Sequence, residues 1–176
     1  MKVLMTGTGG TVGPVLRDHI ISTGSTVTAW NRTLTSSDNI AGSRQFMEMI
    51  SPHAIVPLGM GSPAWAECLA RYAADAAIPF LFTSTVSVFQ APPQGPYTIA
   101  SVPNATDDYG RYKRECETRI REVNPNAHIV RIGWQIGTAR GGTGRGGPAR
   151  GVNHMVEFIC REHETKGRVD ANCNWL

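Results

Sequence analysis

The sequence predicts an α/β protein built on a doubly wound parallel sheet. Short apolar runs alternate with helical patterns of about 10–15 residues through the first 132 positions, which is typical of successive βαβ units with helices on both faces of a sheet. A glycine-rich turn joins the first apolar run to the first helical pattern. With 176 residues, the chain has room for one domain and a small appendage.

The strands are predicted from five short runs rich in apolar, β-branched or aromatic residues. The first run stops directly at Gly7, as a buried strand does when it enters a tight turn. The predicted strands are residues 2–6, 26–30, 54–58, 79–85 and 127–132, with an extension of the fourth to Val88 left open.

The helices are predicted from apolar residues at helical spacing and from residues that start and stop helices. Pro14 lies in the first turn of the first helix, and Gly24 follows its end. Thr106 or Asp107 can cap the fourth helix. The predicted helices are residues 12–22, 36–50, 64–77, 109–123 and 152–163, and the proline-rich residues 90–108 are predicted to form a loop.

Composition and charge exclude several classes of protein. A hydrophobic share of 41% and a charged share of 18% are typical of a globular chain and not of a disordered one. The net charge of +3 comes without a long basic block, so we expect no nucleic-acid partner. No apolar run is long enough for a membrane span or an export signal, so we expect a cytoplasmic protein. The histidines and cysteines lack metal-ligand spacing, so we expect no metal site.

The glycine-rich turn indicates a dinucleotide site. Three of its glycines are spaced G-x-x-G-x-x-G between the first strand and the first helix. Glycine permits a positive φ and lets backbone N–H groups approach a pyrophosphate, whose charge the helix N-terminus favours. The predicted cofactor contacts in the turn are Gly7, Thr8, Gly10, Thr11, Val12 and Gly13. The alternative is a turn that only packs, and the absence of Gly-Lys-Ser/Thr excludes a P-loop.

The end of the second strand distinguishes two cofactors. A carboxylate there would bind a ribose 2′-hydroxyl and repel a 2′-phosphate, but the chain has Asn31, Arg32 and Thr33, with no carboxylate before Asp38. The Arg32 guanidinium can bind a phosphate through two hydrogen bonds. We therefore expect NADP(H), with NAD(H) less favoured; the alternative is an exposed arginine in a turn.

A tyrosine and a lysine on the fourth predicted helix form a candidate catalytic pair. Tyr109 and Lys113 are four residues apart, so they share one face of the helix. An adjacent ammonium lowers the pKa of a phenol, which can then exchange a proton with a carbonyl oxygen. A hydroxyl at the carboxyl end of the preceding strand would face the same crevice, and we favour Thr85 over Ser84. The alternative is a surface pair without chemistry.

These motifs resemble the extended short-chain dehydrogenase/reductases, and among them the dTDP-4-dehydrorhamnose reductases and their sugar-nucleotide-binding relatives. The resemblance rests on the glycine turn, on Ser-Thr-Val-Ser-Val-Phe at residues 84–89, on Tyr-Gly-Arg-Tyr-Lys at residues 109–113 and on Arg-Ile-Gly-Trp at residues 131–134. It implies a Rossmann-like NADP-binding domain over residues 1–137, followed by a Gly/Arg loop and a partial substrate lobe over residues 138–176.

The resemblance also implies roles for matching residues. Tyr109 would donate a proton, Thr85 would orient the substrate oxygen, and Lys113 would bind the nicotinamide ribose while tuning Tyr109. The cofactor would also be lined by Leu58, Gly59, Met60 and Thr83. The expected substrate contacts are Ser84, Arg140 and Arg145.

The chain departs from the family pattern in two places. Residues 57–61 replace an alanine-rich turn, and the chain ends where relatives continue into the substrate lobe, so we expect that lobe to be short or incomplete. The glycine-rich stretch that contains Arg140, Arg145 and Arg150 has three interpretations. It can bind a nucleotide-sugar pyrophosphate, act as an RGG-like RNA segment or form a solvated loop.

The resemblance therefore implies an NADP(H)-dependent reductase of a keto group on a nucleotide-activated deoxysugar, as in dTDP-rhamnose biosynthesis. Two alternatives stay open: a catalytically silent NADP-binding protein with a regulatory or sensing role, and a nucleotide-sugar epimerase. The partner would be the nucleotide-sugar substrate, with neither nucleic acid nor membrane involved, and a homodimer is compatible with the family.

Overall fold

The computed structural model of the chain describes residues 1–90, 96–133, 161 and 163–167. Within these ranges, strands and helices alternate as the sequence predicts. The strands are β1 (Lys2–Thr6), β2 (Thr26–Ala29), β3 (Ala54–Pro57), β4 (Leu81–Thr85) and β5 (His128–Ile132). The helices are α1 (Gly13–Ser22), α2 (Ile40–Ile50), α3 (Pro63–Asp75) and α4 (Asp108–Val123).

The strand pairs of the described residues are parallel. β1 lies between β2 and β3, with Val3 opposite Val27 on one side and Ala54 on the other. β4 pairs with β5 along its whole length, and a bridge between Ile55 and Phe80 connects the two sets of strands. The resulting order, β2-β1-β3-β4-β5, reverses at β1, so a crevice opens where β1 and β3 end. The predicted doubly wound parallel sheet is confirmed.

The sheet has an apolar core on each face, because side chains alternate along a strand. Leu4 packs with residues of α2, α3 and α4, whereas its neighbours Val3 and Met5 lie in a second cluster with Leu16 and Ile20 of α1. α1 therefore covers one face, and the other three helices cover the opposite one. Beside α1 there is an open apolar cavity of about 260 Å³.

Helix α2 begins four residues later than predicted, at Ile40. Asn39 caps the helix by accepting a hydrogen bond from the backbone N–H of Gly42 at 2.9 Å. The residues before Asn39 form turns and not a helix, because the Trp30 indole N–H donates to the Thr35 carbonyl at 3.0 Å. The connection between β2 and α2 is consequently a series of turns.

Strand β4 ends at Thr85, so the extension to Val88 is not a strand. The Thr85 side chain accepts a hydrogen bond from the Ser87 N–H at 3.1 Å and starts a 3-10 turn over Val86–Val88. This turn places the Thr85 hydroxyl at the carboxyl edge of the sheet.

The last predicted helix, residues 152–163, lies outside the described residues except for positions 161 and 163, which are helical. The predicted domain boundary between residues 137 and 138 also lies outside them. Among the described helices, none has both the length and the apolar character that crossing a membrane would require.

The cap of α4 provides a test of the fold. The Asp107 carboxylate accepts a hydrogen bond from the Gly110 N–H at 2.9 Å, so Asp107→Ala leaves this donor without its partner. We expect the free energy of unfolding, measured in urea, to fall by about 1 kcal/mol. Asp108→Ala is the control, because Asp108 is exposed and forms a surface ion pair with Arg111. An equal loss in both variants would contradict the capping role.

Candidate active site

The glycine turn after β1 packs directly against the loop after β3. Gly7 has a φ of +67°, and its carbonyl accepts a hydrogen bond from the Gly10 N–H at 3.0 Å. A Cβ on Gly7 would lie 2.6 Å from the backbone nitrogen of Gly59, and a Cβ on Gly13 would lie 2.4 Å from the carbonyl oxygen of Gly7. Only glycine fits at both places, so the turn presents bare backbone where α1 begins.

The start of α1 offers hydrogen-bond donors that no capping side chain satisfies. Val12 precedes the helix without a side-chain cap, and the first turn has no acidic residue. The free N–H groups and the helix dipole therefore favour an anion. Of the predicted contacts, Gly10 and Thr11 are exposed, and Thr8 is partly so. This cradle fits the pyrophosphate of a dinucleotide.

Arg32 reaches from the end of β2 to the loop after β3. It lies between Asn31 and Thr33 in an exposed turn, which is tightened because the Asn31 side chain accepts a hydrogen bond from the Thr33 N–H at 2.9 Å. The Arg32 guanidinium donates to the Met60 carbonyl and lies 5.6 Å from the centre of the Trp65 ring. The predicted phosphate-binding cation thus lies at the same edge of the sheet as the glycine turn.

The loop after β3 forms the second wall of the crevice. The Gly59 N–H donates to the Thr6 hydroxyl oxygen at 2.8 Å. Leu58 and Gly59 are partly buried, whereas Met60 is exposed. The three cofactor contacts predicted in this loop therefore border the glycine turn.

The structure brings Thr85 and Tyr109 together. The Tyr109 hydroxyl lies near the Thr85 side chain, and the tyrosine is 44% exposed. Burial raises the pKa of Tyr109 above its usual value, and the nearby Thr85 side chain acts in the opposite direction. The phenol is therefore protonated at neutral pH, and it lies beside a second hydroxyl in an open position.

Lys113 lies one turn further along α4 and is 5% exposed. Its ammonium donates to the Thr83 carbonyl at 2.9 Å and lies 4.8 Å from the centre of the Phe82 ring. Burial lowers the pKa of Lys113, and the Glu117 carboxylate opposes this effect. The expectation that Lys113 lowers the pKa of Tyr109 is wrong for this structure, because the ammonium binds the strand backbone and burial dominates the pKa of Tyr109.

Ser84 does not reach the crevice, so its predicted contact with a substrate is wrong for this structure. It is 2% exposed, and its hydroxyl donates to the Glu117 carboxylate at 2.5 Å. The physical reason is the alternation of side chains along β4, which directs Ser84 and Thr85 to different partners.

Glu117 of α4 and Arg131 of β5 form an ion pair next to the site. The sequence motifs did not predict this pair. The Nε and Nη2 atoms of Arg131 bind the two carboxylate oxygens of Glu117 at 3.0 and 2.8 Å. This bidentate pair joins α4 to β5. The available signal was the spacing: Glu117 follows Lys113 by four residues and shares its helix face.

Arg140 and Arg145, the remaining predicted substrate contacts, lie outside the described residues. The described part of the candidate site therefore comprises the crevice at the glycine turn and the start of α4.

The fold and the site define a Rossmann-like α/β protein with a threonine, a tyrosine and a lysine at the carboxyl edge of its sheet. Residues 63–146 match the family model described as RmlD substrate binding domain. The chain is also 40% identical over 75 residues to the "Probable low-salt glycan biosynthesis reductase Agl14" of Haloferax volcanii, a match that covers 43% of this chain and 25% of that protein. Residues 63–146, which include Thr85, Tyr109 and Lys113, are therefore similar to the RmlD substrate binding domain family, in agreement with the resemblance to the sugar-nucleotide reductases.

Solved structures agree with this fold. A dTDP-4-dehydrorhamnose reductase from Clostridium acetobutylicum superposes with a TM-score of 0.76 at 20% identity, over 94% of this chain and 60% of that one. A dTDP-4-dehydrorhamnose reductase from Bacillus anthracis, in complex with NADP, superposes with a TM-score of 0.73 at 20% identity, over 96% of this chain and 61% of that one. The chain thus spans 60% and 61% of the length of these two structures.

The buried ion pair provides a second test. Glu117→Gln keeps the shape of the side chain but leaves the Arg131 charge uncompensated, with the two side chains only 6% and 20% exposed. We expect a loss of roughly 3 kcal/mol in the free energy of unfolding, measured in urea. Glu115→Gln on the same helix is the control, because its ion pair with Arg119 is exposed and is worth less than about 1 kcal/mol. Equal losses would show that burial of the pair does not matter.

Proposed function

We propose that this chain is an NADP(H)-dependent reductase of a keto group on a nucleotide-activated deoxysugar. The observation that carries the proposal is the proximity of Tyr109 to Thr85, at the sheet edge that also holds the glycine cradle. A proton donor and a dinucleotide cradle at one edge suit the reduction of a carbonyl.

The cofactor assignment is supported by the chemistry of the crevice. The start of α1 favours a pyrophosphate, and Arg32 at the end of β2 supplies a cation where a 2′-phosphate would lie. A carboxylate that would favour NAD(H) is missing between Asn31 and Thr33. The Bacillus anthracis neighbour, which has the same fold, was solved with NADP.

The residues around Thr85 have complementary tasks in this reaction. NADPH, when bound, supplies the hydride. Tyr109 donates its proton to the substrate oxygen as negative charge develops there, and the Thr85 hydroxyl orients that oxygen by a hydrogen bond. Lys113 would hold the nicotinamide ribose, and its bond to the Thr83 carbonyl fixes the direction of its buried ammonium.

The proposed substrate class is supported by the proteins to which the chain is similar. The name RmlD substrate binding domain and the reductase names of the similar proteins support a sugar nucleotide. Its pyrophosphate would be bound by Arg140 and Arg145, in the segment over residues 138–176 that we propose as a partial substrate lobe. A homodimer and a cytoplasmic location stay predictions of the sequence.

The choice of cofactor is tested by titration with NADPH and NADH. The wild type should bind NADPH more tightly, because Arg32 can pair with the 2′-phosphate. Arg32→Ala should weaken NADPH binding roughly tenfold or more and change NADH binding less. Arg71→Ala is the matched control, since Arg71 is exposed and paired with Glu67 on α3. If Arg32→Ala weakened the binding of NADPH and NADH equally, the proposal that Arg32 binds the 2′-phosphate would be contradicted.

The catalytic assignment is tested with Tyr109→Phe. Loss of a general acid should lower the turnover of a keto-deoxysugar nucleotide by at least about 100-fold, while the affinity for NADPH stays nearly unchanged. Because burial raises the pKa of Tyr109, the wild-type phenol keeps its proton through neutrality, and the rate should fall only as the pH rises towards that pKa.

One result would contradict the role of Tyr109, and two others would contradict the proposed reductase. Normal turnover by Tyr109→Phe would exclude this residue as the proton donor. Conversion of the sugar without net consumption of NADPH would indicate an epimerase. NADPH binding without turnover of any keto-sugar nucleotide would indicate a silent binding protein.

A further inference from the structure

Three consecutive residues of the loop after β3 are held by side chains from three different elements. Thr6 belongs to β1, Arg32 follows β2, and Tyr112 belongs to α4. The hydrogen-bonded pairs are Gly59 with Thr6, Met60 with Arg32, and Gly61 with Tyr112. The loop therefore connects the cofactor crevice to the catalytic helix.

The Tyr112 hydroxyl binds both backbone groups of Gly61. It donates to the Gly61 carbonyl at 2.8 Å and accepts from the Gly61 N–H at 3.3 Å. Burial raises the pKa of Tyr112 to about 12. The hydroxyl thus keeps its proton at neutral pH, which this double contact requires because a phenolate cannot donate.

Gly61 is enclosed from the other side by Trp65. A Cβ on Gly61 would lie 2.1 Å from the Cε3 atom of Trp65, and the Arg32 guanidinium lies over the same ring. The end of the loop is therefore confined between Trp65 and Tyr112. Its position decides where the preceding Met60 lies, whereas Gly59 is held separately by Thr6.

The two tyrosines of α4 have different environments although they are three residues apart. Tyr109 is 44% exposed and lies near Thr85. Tyr112 is half-buried, and its hydroxyl is engaged by the loop backbone. Tyr112 is therefore suited to hold a loop in place, and Tyr109 to meet a substrate.

We infer that Tyr112 is a positioning residue for the dinucleotide: it joins α4, which carries Tyr109 and Lys113, to the loop that lines the cofactor crevice. The inference rests on the proposed NADP(H) function. Without the hydroxyl, the loop can shift relative to α4, and the cofactor and the catalytic pair lose their common alignment.

The test is the affinity of Tyr112→Phe for NADPH, measured by fluorescence titration. The variant keeps the ring and removes the hydroxyl, and we expect the Kd to rise roughly tenfold. Tyr72→Phe is the matched control, because Tyr72 is a partly buried tyrosine of α3 whose hydroxyl donates to the Met47 carbonyl at 3.1 Å. Its loss should leave the Kd unchanged.

A second measurement separates positioning from a general loss of stability. In the ligand-free protein, NMR amide exchange at Gly61 should become faster in Tyr112→Phe. The exchange rate at Gly59 should stay the same, because its N–H is held by Thr6. A general destabilisation would accelerate both amides.

The outcomes distinguish this inference from the proposed function. Wild-type protein that binds no NADPH overturns the proposed function, and the inference fails with it. If the wild type binds NADPH and Tyr112→Phe binds it with the same Kd, the inference about Tyr112 is overturned and the proposed function is not. Faster exchange at Gly61 without a change in Kd also overturns it, because the loop would then move without affecting the cofactor.

Discussion

The candidate site depends on a contact between two backbones, at Gly7 and Gly59. Because β1 and β3 are parallel neighbours, their carboxyl ends lie side by side, and the Gly59 N–H donates to Thr6 at 2.8 Å. A side chain on Gly7 would collide with the Gly59 backbone. The two loops can therefore form one continuous surface, which brings the start of α1 and the Arg32 guanidinium to the same edge of the sheet.

Helix α4 supplies the other half of the site, and the environment of its side chains changes along one face. Tyr109 at its start is open to solvent, whereas Lys113 and Glu117 are buried. The last two attach the helix to the sheet, because Lys113 donates to the Thr83 carbonyl on β4 and Glu117 pairs with Arg131 on β5. The exposed tyrosine is consequently presented by an element that is anchored to two strands, which is the arrangement that precise chemistry needs.

Local sequence patterns were sufficient for the order of the described elements but not for all of their bounds. The apolar spacing predicted α2 from residue 36, yet the Asn39 cap and the contact between Trp30 and Thr35 start it at Ile40. The apolar run after β4 did not reveal that Thr85 ends the strand by accepting a hydrogen bond from Ser87. In both cases hydrogen bonds of polar side-chain groups decided the boundary, and hydrophobic periodicity contains no information on such contacts.

The sequence alone determined where glycine is required and which residues share a face of α4, because each property depends on only a few consecutive residues. It also indicated Thr85, Tyr109 and Lys113, whose catalytic roles stay predictions. Folding decided that Ser84 binds Glu117 and that Lys113 binds the β4 backbone instead of tuning the phenol. The contacts of Arg32 with Met60 and of Tyr112 with Gly61 join residues 28 and 51 positions apart. Such contacts exist only once the strand order has brought their loops together, and no local periodicity encodes that order.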